Sequence, residues 1–134
     1  MTWDASLMRL PKGMTLSEMA EKYGNDFRLS PIGSTADVGN TLMSLFPDAK
    51  HVNGQTVLHE GYAYVQFNYS DRSAGEAIQS IHVVSNGDKD SIAVIKMVCD
   101  RLDLCMVDHQ SGEIADFDKE PQRSMEVSVH QNHN

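Results

Sequence analysis

A chain of 134 residues is one domain's worth, long enough to bury roughly 68% of the surface its unfolded form exposes without help from disulfides or metal. Its 19 Asp and Glu against 11 Lys and Arg leave a formal charge of −8, which argues against a non-specific nucleic-acid or anionic-membrane binder, since both need a basic patch. The 40% hydrophobic and 22% charged fractions are those of a globular chain, not a disordered one.

Residues Trp3 to Leu10 mix apolar and polar side chains and stop at Pro11, which reads as a first strand. Thr15 and Glu18 have the spacing of a capping box. Leu16, Met19, Ala20 and Tyr23 follow as a short apolar stripe, and Gly24 suits the left-handed residue that ends a helix. Ser34 is a good N-cap with Asp37 in its first turn. Val38, Leu42, Leu45 and Phe46 share one helical face before Pro47 stops the pattern, and Gly39 inside it costs about 1 kcal/mol against alanine.

The period then changes. Thr56–His59, Tyr62–Tyr69 and Ala77–Ser85 are rich in β-branched and aromatic residues and read as three strands. Asn86-Gly87 turns the chain, and Asp88 or Asp90 caps a helix from Ser91 to about Leu102 with Ile92, Ile95, Cys99 and Leu102 as its stripe. Leu104–Val107 is a short strand, and Glu113–Phe117 returns as an edge strand. The order β-α-α-β-β-β-α-β-β predicts an α+β fold: a single, largely antiparallel sheet with two or three helices packed on one face. Residues 1–118 form that domain. Residues 119–134 lose apolar periodicity and read as a flexible tail that orders only on a partner.

The chemistry-bearing residues form no recognisable catalytic or metal-binding pattern. The six histidines include no H-E-x-x-H pair, and Cys99 and Cys105 are not a C-x-x-C. The reading is therefore no metal and no cofactor. No G-x-S-x-G turn and no phosphate-binding glycine loop is present either. Two thiols, no apolar run long enough for a membrane span and no secretory pattern at the start predict a cytoplasmic protein.

What stands out is surface. Helices cover one face of the sheet, and alternation puts Tyr62, Tyr64, Gln66, Asn68 and His82 on the other, an aromatic and amide mixture typical of protein interfaces. Loops bearing Asp71 and Asp88 add an acidic rim that would steer a basic partner. The chain also resembles a group of small acidic bacterial proteins of unassigned function. The shared features are Trp3-Asp4, the Pro31-to-Ser34 segment before a helix, Leu45 to Ala49 closing it, Gly61 leading to Gln66-Phe67-Asn68, Ser80 to Val84, and Asp108 to Glu113. It departs from them in lacking a Trp-Gly pair before the central hairpin. The resemblance implies a bacterial cytoplasmic protein and carries no catalytic residues.

The function expected is a protein-binding module of the immunity or antitoxin type that masks a basic toxin. The alternatives are a structural or regulatory homodimer, and a small hydrolase or small-molecule binder built on Asp108, His109 or His82.

Overall fold

A computed structural model describes residues 2–11, 13–24, 29–52, 54–70, 77–115 and 117. In chain order the elements are β1 (Trp3–Met8), α1 (Leu16–Tyr23), α2 (Thr35–Leu45), β2 (Lys50–Val52), β3 (Gln55–Glu60), β4 (Ala63–Asn68), β5 (Ile81–Ser85), α3 (Lys89–Leu102) and β6 (Cys105–Asp108). The six strands make one sheet in the order β2-β3-β4-β5-β1-β6, and every pairing is antiparallel. This is the α+β class that the pattern predicts.

The caps form where the short polar residues stand. Thr15 Oγ1, Ser34 Oγ and Asp88 Oδ1 accept the amides of Glu18, Asp37 and Asp90 at 3.1, 3.1 and 2.9 Å, each satisfying a donor that the first helical turn leaves orphaned. α3 ends where Asp103 takes the left-handed conformation (φ 57, ψ 58), and Leu104 N then donates back to Cys99 O at 2.9 Å. That turn sends the chain directly into β6.

One face of the sheet is core. Trp3, Ala5 and Leu7 of β1, Val65 and Phe67 of β4, Ile81 and Val83 of β5 and Met106 of β6 are all buried. They form one cluster with Val38 and Leu42 of α2 and Ile92, Ile95, Val98 and Cys99 of α3. Alternation gives the physical reason: β1 and β4 both read buried, half-buried along their length, so only one side of each strand is sealed. Phe46, just past α2, stacks on Phe67 with ring centroids 6.2 Å apart.

Three elements depart from the sequence reading. Lys50–Val52 is an extra edge strand, too short for its alternation to register in a pattern of periods. Among the described residues, 113–115 makes a single bridge, Ile114 to Val107, in place of the predicted strand, with backbone bonds to β6 from Asp108 N to Glu113 O and from Ala115 N to Met106 O. The observed order is therefore β-α-α-β-β-β-β-α-β. The third departure is Tyr62. Glu60 pairs with Ala63, so Gly61 and Tyr62 are the two-residue turn of the β3–β4 hairpin, with Gly61 at φ 60 as a primed turn requires. The tail from 119 onward, and with it the expectation of flexibility, lies outside the described residues.

Candidate docking face on the open side of the sheet

The register lines the other face into rows. Lys50 lies opposite Val57, Val57 opposite Gln66, Gln66 opposite Val84, and Val84 opposite Asp4. His109, just past β6, donates its N–H to Asp4 O at 3.1 Å and completes that row. The neighbouring row is Val52, Gln55, Asn68, His82, Ser6 and Val107. Every one of these side chains is half-buried or exposed, and directly opposed residues project to the same side. His59 and Tyr64 pair in a flanking row.

Hydrogen bonds hold the middle of this face in one arrangement. Gln55 Nε2 and Gln66 Nε2 both donate to Asn68 Oδ1, at 2.9 and 3.0 Å, and Tyr64 OH donates to Gln66 Oε1 at 3.2 Å. The His59 ring meets Tyr64 edge-on, with centroids 5.7 Å apart at 83°. On the β1 side, the His82 and His109 rings stack with centroids 5.7 Å apart at 14°, meeting across β1 from the strands on either side of it. His82 Nε2 stands 3.3 Å from Asp4 Oδ1, and His109 Nε2 is 2.7 Å from Ser6 Oγ.

The structure thus places Tyr64, Gln66, Asn68 and His82 together on the open face. Tyr62 stands in the adjoining hairpin turn, 82% exposed, the most exposed large apolar side chain among the described residues. Asp88 is elsewhere: its carboxylate caps α3. Asp71 lies outside the described residues. The rows themselves are close to neutral, since their one carboxylate, Asp4, is balanced by Lys50. Much of the acid of the described residues sits on helices and turns, at Glu18, Glu21, Asp37, Asp90, Asp100 and Asp103.

The histidines named as candidate chemistry fall into place separately from Asp108. Asp108 is turned to the core side, where its Oδ1 accepts Trp3 Nε1 at 3.0 Å and Gln110 N at 2.9 Å. It joins neither His82 nor His109. Ser6 and His109 have the separation of a nucleophile and base, but β1 is paired on both sides, so its amides are committed to the ladder and cannot stabilise an oxyanion. Cys99 is inert as a nucleophile: burial first, then the nearby charges of Cys105 and Asp100, push its thiol up from 9.0 to about 12. Among the described residues no group of three or more His, Cys, Asp or Glu is placed to hold a metal ion, and no helix is long and apolar enough to cross a membrane.

A cleft of about 1020 Å³ opens at the β6 edge between the start of α1, α3 and residues 112–115 and 117. Of its charged groups Lys96, Asp100 and Glu113, the first two pair at 2.8 Å, and Met14, Leu16, Ile114 and Phe117 supply an apolar lining.

Alternation along β4 and β5 is enough to find half of the face. Asp4, Ser6 and His109 escape it because their partnership joins residues more than a hundred positions apart, although the period of β1 carries the signal for the first two. Compared with protein-family models, curated proteins and solved structures, the chain matches none.

Proposed function

We propose that this chain is a protein-binding module that holds a partner against the open face of its sheet, of the immunity or antitoxin type, masking a bacterial toxin. The observation that carries the reading is the bonded run Gln55–Asn68–Gln66–Tyr64, half-buried on a face where no described element lies over it. Side chains already held in one arrangement lose little further entropy on docking, and amide, hydroxyl and phenol groups supply both contact area and hydrogen bonds. Tyr62, beside that run, adds a large ring at a hairpin tip.

The near-neutral rows favour a partner recognised by shape and hydrogen bonding over one drawn in by charge alone. A cytoplasmic site of action is consistent with two cysteines that are both free.

The test is capture of partners from the source cell with the wild-type chain and with a Tyr62→Ala/Tyr64→Ala variant of unchanged circular dichroism. Loss of a specific partner from the variant is the expected result. The same set of captured proteins from both would remove this face from consideration. Protection of cells from a toxin encoded beside the chain, lost in the same variant, tests the narrower immunity role.

A further inference from the structure

The end of the docking face that carries the tyrosines is not held by the ladder alone. The register of β4 with β5 stops at Val65 opposite Ser85, so residues 62–64 lie beyond the end of β5. Side chains from the turn into α3 take over there. Asn86 N still donates to Tyr64 O at 3.3 Å. Tyr64 N, however, donates to Ser91 Oγ at 2.9 Å, and Asn86 Nδ2 donates to Tyr62 O at 2.8 Å. Asn86 Oδ1 in turn accepts the Ser91 hydroxyl at 2.7 Å and Asp88 N at 3.1 Å. One amide side chain thus closes the start of α3 with its oxygen and the hairpin tip with its nitrogen.

We infer that Asn86 is a positioning residue of the docking face, its amide nitrogen fixing the backbone of Tyr62 and Tyr64 in the posture a partner meets. This rests on reading that face as a docking surface, and deepens it. The Tyr62 side chain is 82% exposed, so packing does little to hold it and its place depends on its backbone. Ser91 and Ile92 are fully buried, so the anchor lies in the core while the tip stands in water. Fixing the tip beforehand lowers the entropy that docking costs.

The tie is selective for an amide. A carboxylate at position 86 keeps the oxygen that Asp88 N and Ser91 use, but it offers no donor to Tyr62 O and repels that carbonyl.

Amide hydrogen exchange of the full chain, wild type against Asn86→Asp and Asn86→Ser, tests this. The serine hydroxyl still caps the amide two residues on, falls short of Tyr62 O and adds no charge. The expected result in both variants is about ten-fold faster exchange at Tyr64 N, as for the loss of one hydrogen bond, with the amides of β1 unchanged. Capture of any partner that Tyr62→Ala/Tyr64→Ala loses should fall by a similar factor. Unchanged exchange at Tyr64, or faster exchange with undiminished capture of such a partner, would overturn the inference and leave the docking reading standing. Faster exchange throughout β1 in both variants would make Asn86 a residue of the fold at large, which overturns it too. If the double tyrosine variant loses no partner, the docking reading itself falls, and Asn86 has no face to position whatever the exchange shows.

Discussion

Two glycines in this chain do opposite things, and the space around each says which. Gly54 sits at φ 82 between β2 and β3, where an added Cβ would stand 2.7 Å from Ser70 Cβ and 2.9 Å from Ser70 Cα, while its carbonyl accepts Tyr69 N at 2.8 Å. Gly39 is helical, and a Cβ there would make ordinary contacts of 3.5 Å with the Tyr69 ring. Gly54→Ala should therefore cost about 2 kcal/mol or more from strain and displaced backbone, and Gly39→Ala should gain up to about 1 kcal/mol. Urea unfolding of the two variants checks both signs. Cys99 supplies a pH dependence at the same scale. Its folded thiol ionises near pH 12 and its unfolded thiol near 9.0, so the unfolded state loses its proton first as pH rises. The stabilising contribution is complete below pH 9 and declines toward pH 12, by about 1.4 kcal/mol per pH unit. Stability measured between pH 9 and 11 should fall more steeply in the wild type than in Cys99→Ala by about that slope, and equal slopes would refute it.

Among the elements, α3 depends on a residue from the far side of the chain. Arg9, just beyond β1, donates Nε and Nη2 to Leu102 O at 3.2 and 3.0 Å and Nη1 to Pro31 O at 2.6 Å. The guanidinium thus satisfies a carbonyl at the negative end of α3 and ties it to the segment leading into α2. A lysine offers one ammonium in place of the planar fork and cannot reach both carbonyls in this way. Arg9→Lys should lower stability by about 1–2 kcal/mol, read as a lower urea midpoint at unchanged slope. An unchanged midpoint would show the clamp to be idle. A comparable tie closes the β2 edge. His51 Nε2 is 2.9 Å from Phe46 O and must donate to it, so in the neutral ring Nδ1 accepts the Thr56 hydroxyl at 2.9 Å, which leaves Tyr69 OH to donate to Thr56 Oγ1 at 2.7 Å. A three-residue edge strand is thereby bonded to the end of α2 and to the core.

At the scale of the molecule, placing β1 between β5 and β6 does two things. It buries the first strand as a central one, with Trp3 sealed over Asp108, and it lets the strands on either side of it bring His82 and His109 together over Ser6. The helices close the opposite face, which leaves one broad, ordered, near-neutral surface on a chain whose net charge is −8.

Much of this was legible in the amino-acid order because it depends on neighbours in the chain. Short polar residues cap α1, α2 and α3 where expected, and the alternation in β4 and β5 assigns Tyr64, Gln66, Asn68 and His82 to one side, since pleating has a period of two whatever the strand pairs with. Strand order and register have no such local cause. They follow from which apolar faces α2 and α3 can cover together, and they decided that β1 is central, that Lys50 shares a row with Asp4, and that Asp108 turns inward away from His109. The turn at Gly61 took Tyr62 out of its strand for the same reason: a hairpin's register is set by both of its strands, and the alternation of one alone cannot supply it.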